Sequence, residues 1–183
     1  AWKGETLEEY WRLADRMTGV SGMLTAGMGT VVVNAVDYAD LDVVVVDAYD
    51  QGRLPGELAG TRWAAEVTRV LAPDGLLLVN ASDQPGLRWV RRLTATLRTQ
   101  LPHVGLLVLR EVAKGRRFGN VVVVASPRPL DDVSLTRVAA RATFPSEWLD
   151  AGRTARAERG ALPFGEVGEA SPGPPDTGLL RLR

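Results

Sequence analysis

Asp47 and Asp50 stand three residues apart, directly after the apolar run Leu41–Val46 in the segment LDVVVVDAYD. Two carboxylates at that spacing can bind a cationic amine while one of them takes a proton from it, because an amine attacks only once it is neutral. The same residues have a plainer reading, in which Asp47 caps the following turn and Asp50 is solvated. Spacing alone leaves both open. Two further polar groups follow apolar runs: Asn34 comes after residues 30–33, and Asn80, Ser82, Asp83 and Gln84 come after residues 76–79. Ligands of open α/β sheets bind outside the carboxyl ends of the strands, so parallel strands would bring all three groups to one edge.

Composition closes several other chemistries. The chain has no cysteine and one histidine, His103. Disulfides, thiolate metal sites and cysteine nucleophiles are thereby excluded, and a single histidine argues against a His-based zinc site or a Ser-His-Asp triad. Lack of cysteine fits a reducing cytoplasm. Lys plus Arg and Asp plus Glu are 22 each, so no net field would hold the chain on nucleic acid or an anionic membrane. No apolar run approaches the roughly 20 residues of a membrane span, and residues 1–20 carry charges where a signal peptide needs an apolar centre. The expectation is a cytoplasmic domain acting on a small molecule, with neither nucleic acid nor membrane as partner.

The elements that must position these residues follow a strand-helix grammar. β-branched runs at residues 30–33, 41–46, 76–79 and 121–124, with a less branched one at 104–109, are nearly continuous rather than alternating. That pattern marks strands covered on both faces, the environment of parallel sheets. Trp63, Val67, Val70 and Leu71 recur at helical intervals before Pro73, as do Trp89, Val90, Leu93 and Leu97 before Pro102. The pattern predicts an α/β fold with a doubly wound, mostly parallel sheet. Residues 110–120, with the basic turn GRRFGN, are too few for a crossover helix, so the strands on either side should form an antiparallel hairpin. Helices are expected at residues 5–19, 131–142 and 147–159, and a small-residue connector at 19–30. From Gly160 onward the Pro/Gly-rich tail predicts a surface strap or disorder. The domain division is thus 1–30, 31–150 and 151–183.

Several conspicuous residues have ordinary readings. Lys114, Arg116 and Arg117 form a solvated hairpin tip, and His103 is structural or exposed. Trp63 and Trp89 belong to the core, while Arg88, Arg91 and Arg92 form the wet face of their helix.

LDVVVVDAYDQGRLPGEL, the Trp-containing helix after it, VLAPDGLLLVNASDQPG and GRRFGNVVVVASPRPL together resemble the spermidine synthase family, especially its divergent actinobacterial members, over roughly residues 31–150. The resemblance implies a Rossmann-like sheet of methyltransferase type with a C-terminal antiparallel hairpin. In that family a D-x-x-D segment follows the fourth strand, and Asp47 and Asp50 fall on its two acids. The resemblance implies that Asp47 deprotonates the attacking amine, that Asp50 holds the amine substrate, and that Tyr49 and Gln84 border the substrate groove. Residues 33–38 resemble the family's G-D-A-x-x-[YF] segment, so Asn34 and Ala35 fall at its donor-binding position. Asn34 replaces the family's acid there, and an amide oxygen accepts a weaker hydrogen bond from an adenine amino group than a carboxylate does.

By this resemblance, decarboxylated S-adenosylmethionine is the co-substrate and a polyamine the acceptor. The family's first two strands and its Gly-rich loop have no counterpart, since Ala26-Gly27-Met28-Gly29-Thr30 lacks a preceding β run. Either a segment before Gly29 is missing from the chain, or the protein is a shortened relative with an exposed sheet edge that calls for a homodimer. Two other functions stay open: a catalytically silent binding or oligomerisation module, and a methyltransferase-like enzyme using S-adenosylmethionine.

Overall fold

The computed structural model describes residues 39–175, all within the compact unit Asn34–Arg183. The expected elements at residues 5–19, 19–30 and 30–33 lie outside the described residues. Five strands, β1 (Leu41–Val46), β2 (Leu71–Asp83), β3 (His103–Leu109), β4 (Gly119–Ser126) and β5 (Ser146–Leu149), lie in the order β1-β2-β4-β3-β5. Helix α1 (Thr61–Val70) crosses from β1 to β2, preceded by the 3-10 turn Gly56–Leu58. Helix α2 (Arg88–Arg98) links β2 to β3, and the single turn α3 (Arg110–Ala113) lies between β3 and β4. Helices α4 (Asp132–Arg141) and α5 (Ala151–Glu158) flank β5.

β1 and β2 pair in parallel, and β3 and β4 form the antiparallel hairpin that the short basic connection demands. The expectation of a mostly parallel sheet is corrected among the described strands, because only β1–β2 of the four pairings is parallel. The reason is topological. β4 returns through a tight connection and inserts between β2 and β3, so it must oppose both, and β5 opposes β3 in turn. β1, β2 and β3 nevertheless run in one direction and end at one edge.

β2 is longer than residues 76–79. At its far end antiparallel partners on β4 carry Asn80, Ser82 and Asp83 into the ladder opposite Val122, Asn120 and Gly119. At its start, the turn signal Pro73-Asp74-Gly75 becomes a register shift, with Leu41 opposite Leu71 but Val43 opposite Leu76.

One face of the sheet presents Leu77, Val79, Val104, Leu106, Val121 and Val123 to Val90, Leu93 and Leu97 of α2 and Val67 of α1. The other face packs Val124 and Trp148 with Ala139 of α4. Burial on both faces accounts for the unbroken apolar runs. Trp89 is buried and Trp63 packs against the core as a partly buried side chain, as expected. Lys114, Arg116 and Arg117 are exposed, as a solvated tip requires, and half-buried His103 opens β3.

The helix expected at residues 147–159 is corrected: it divides into β5 and α5. Trp148 lies over Gly105 of β3, where a Cβ would collide with its indole ring, and its Nε1 donates to Asp132 at 2.8 Å. This tertiary seat outweighs helical propensity for the first turn. α5 then starts at Asp150, whose carboxylate accepts the Arg153 N–H at 2.8 Å.

The tail is an ordered strap through residue 175. Thr61 and Arg62 at the start of α1 donate to the carbonyls of Gly165 and Glu166, Gly168 donates to Gly56, and Ser171 donates to Leu54. Phe164 is buried beside Trp89, with ring centroids 5.7 Å apart, and the Arg92 guanidinium lies 4.1 Å above its ring. Arg92 also pairs with Glu169 at 2.8 Å, so the strap partly covers the helix face expected to be wet. Gly60 permits the approach: a Cβ there would fall on the Glu166 carbonyl oxygen, closer than non-bonded atoms come.

Candidate functional site

Parallel register places Val46 opposite Val79, so Asp47 and Asn80 follow at the same level. The Asn80 amide donates to Asp47 Oδ1 at 2.9 Å. The second Asp47 oxygen accepts no hydrogen bond among the described residues. Tyr49 returns to the same residue, its hydroxyl donating to the Asn80 carbonyl at 3.1 Å. Asp50 lies further out, where its backbone N–H and C=O pair with Arg53 at 2.9 Å each and close the turn that carries Gln51 and Gly52. Both the carboxylate pair and the polar end of β2 therefore meet at the carboxyl edge of the sheet.

Beside Asp50 opens a groove of about 340 Å³. Arg53 and Glu57 line one side, and Gly168 and Ala170 of the strap line the other. Asp50 and Glu57 enter no ion pair among the described residues. Gln84 follows β2 with its side chain exposed, and no hydrogen bond joins that side chain to Asp47, Tyr49 or Asp50. Asn34 and Ala35 lie outside the described residues.

Burial pushes the Tyr49 phenol up to about 12, eased by the Ser82 hydroxyl dipole and reinforced by the nearby Asp47 carboxylate. A phenol that holds its proton in the folded state, while the unfolded chain releases it near 10.0, costs stability as pH rises from 10 to about 12. Tyr49→Phe is accordingly expected to flatten the loss of urea-unfolding stability across that window. An unchanged slope would show that Tyr49 ionises freely.

Asp83 has a different task. Its carboxylate is buried and accepts the N–H groups of Gln84 at 2.7 Å and Val90 at 2.8 Å, closing the turn into α2. Burial raises its carboxyl above the ordinary value, against the pull of those backbone donors and of Arg91. It is a structural cap rather than a ligand-binding group.

Sequence reasoning placed one contributor at the polar edge without its bonding partner, and missed a second. Asn80 was recognisable as a polar residue after an apolar run, but its bond to Asp47 depends on the β1–β2 register. Ser171 carried no signal, lying in a tail without periodicity. It is fully buried, and its hydroxyl accepts the Leu54 N–H at 2.8 Å and stands 3.4 Å from the Ser82 hydroxyl. Ser82 donates in turn to the Pro172 carbonyl at 3.2 Å. No group of acidic or histidine side chains among the described residues could hold a metal ion, and no helix there is long and apolar enough to cross a membrane.

The sheet order and the polar carboxyl edge define an α/β domain of Rossmann-like character. No family model and no curated protein matches the chain. Among solved structures, it is similar to a probable spermidine synthase from Corynebacterium glutamicum, with a TM-score of 0.65 and 22% sequence identity over 72% of this chain. The likeness covers 50% of that chain, so this protein spans about half the length of its structural relative. The two share a distant, spermidine synthase-like fold.

Proposed function

We propose that the protein is an aminopropyltransferase-like enzyme, transferring an aminopropyl group from decarboxylated S-adenosylmethionine to a polyamine. The observation that carries this reading is Asp47, held by Asn80 at one oxygen and open at the other, beside Asp50 at the carboxyl edge. An acceptor ammonium would lose a proton to Asp47. The freed lone pair would form the new C–N bond to the aminopropyl carbon while the C–S bond breaks, its electrons returning to sulfur as a neutral thioether. Asp50 would hold the incoming ammonium by a charge-assisted hydrogen bond, and the groove between Glu57 and Ala170 would receive the rest of the acceptor. Asn34 and Ala35 would contribute to the donor side, and Gln84 to the rim of the acceptor side. This reading also makes the cytoplasm the working compartment, with small amines as the partners.

Mass spectrometry of the protein incubated with decarboxylated S-adenosylmethionine and putrescine tests it. Stoichiometric spermidine and thioether are expected. Saturable binding of both ligands without turnover would instead leave a silent binding module, and methyl transfer from S-adenosylmethionine would make the protein a methyltransferase.

A further inference from the structure

We infer that the groove beside Asp50 takes a diamine that also carries a carboxylate, an amino acid of the ornithine or lysine type, and that Arg53 binds the carboxylate. The inference rests on the reading of this groove as the acceptor side and narrows its substrate class.

The groove holds charges of both signs, because Asp50, Arg53 and Glu57 all line it. None of the three enters an ion pair or a side-chain hydrogen bond among the described residues. Asp50 and Arg53 are the telling pair, since their backbones bond both ways at 2.9 Å across the turn while their charged ends stay apart. Attraction between exposed charges is too small to overcome solvent screening and the entropy of two long side chains. Opposite charges thus share one groove without neutralising each other, and both signs remain available to a ligand.

The strap sets where the guanidinium lies. A Cβ on Gly173 would stand 3.0 Å from Arg53 Nε and 3.3 Å from one terminal nitrogen, so a larger residue there would press the side chain out of this position. On the opposite wall the Gly168 N–H donates to the Gly56 carbonyl at 3.0 Å, and a Cβ on Gly56 would fall on the Gly168 carbonyl oxygen. Both walls are in place before a ligand arrives, which lowers the ordering cost of binding. Arg53 therefore presents five unused N–H donors in a planar fork, the shape that meets a carboxylate in two parallel bonds.

Charge matching decides between acceptors. Asp47 at the strand end adds a third carboxylate to Asp50 and Glu57, against the one guanidinium. A plain diamine satisfies carboxylates but leaves Arg53 unmatched and brings a second cation into its groove. A monoamino acid satisfies Arg53 and only one acid. A diamino acid gives both signs a partner: the reacting amine goes to Asp47, the second ammonium to Asp50 or Glu57, and the carboxylate to Arg53.

Ornithine is putrescine with one added carboxylate, so this pair isolates the Arg53 contact. Calorimetric titration of the full chain at low salt is expected to show ornithine binding about tenfold tighter than putrescine, the effect of one charge-assisted bond. Arg53→Gln is expected to abolish or reverse that preference. Arg53→Lys should keep part of it, because the ammonium retains the charge without the fork. Arg53 enters the turn through its backbone alone, so the urea midpoint of both variants should match that of the parent chain. Equal affinities, tighter binding of putrescine, binding of neither amine, or a preference untouched by Arg53→Gln would overturn the inference.

This readout needs no turnover. A preference for ornithine without aminopropyl transfer would remove the proposed reaction and keep the inference, whereas transfer to putrescine without the preference would do the reverse.

Discussion

Asp47→Asn is expected to reduce aminopropyl transfer by about 10²- to 10⁴-fold, the range that a positioned general base contributes. The fold should survive, because the substituted amide oxygen can still accept the Asn80 N–H that now meets Asp47 Oδ1 at 2.9 Å. What disappears is the basic oxygen on the open side, and with it the route for the acceptor proton. Measuring kcat and the urea midpoint on the same preparation separates the two roles. Full activity would refute Asp47 as proton acceptor. Loss of stability with loss of activity would mark it as a structural cap, the plainer reading that its spacing also allows.

Phe164→Ala is expected to lower unfolding stability by about 3–5 kcal/mol, as for other buried phenylalanines truncated to alanine. Phe164 is 3% exposed and joins the main core through Trp89. Its loss also removes the ring beneath Arg92 and frees a neighbouring chain whose contacts are mostly single hydrogen bonds. Hydrogen exchange should therefore quicken at the Gly168 and Ser171 amides, which now donate to Gly56 and Leu54. A midpoint shift equivalent to less than ~1 kcal/mol would mean that the tail is a loose cover rather than part of the core.

Four of the five described strands were legible in their order of appearance, because burial on both faces leaves a local trace. β1 follows the Leu41–Val46 run residue for residue, and the hairpin of β3 and β4 followed from the length of the basic connection. The position of Asp47 and Asp50 at a strand end was equally legible, since it depends only on where one apolar run stops. Parallel or antiparallel pairing was less so. A strand buried on both faces reads the same in either direction, and the sheet order decides the direction of its neighbours. Ser146–Leu149 shows the related limit: residues 147–149 were expected to begin a helix, but pairing with β3 and an indole seat over Gly105 hold them in a strand.

Sequence by itself therefore determined an α/β domain with a carboxylate pair at the end of one strand. Hydropathy period and chain punctuation are local properties, written within a dozen residues. Only the tertiary structure decided that Asn80 would grip Asp47 and that Ser171 would reach Ser82, contacts spanning 33 and 89 residues. Such bonds depend on strand register and on the close approach that small residues allow, and neither leaves a pattern along the chain. The same physics anchored a Pro/Gly-rich tail as a surface strap: Phe164 found room beside Trp89, and the backbone groups around it found partners on α1 and beyond β1.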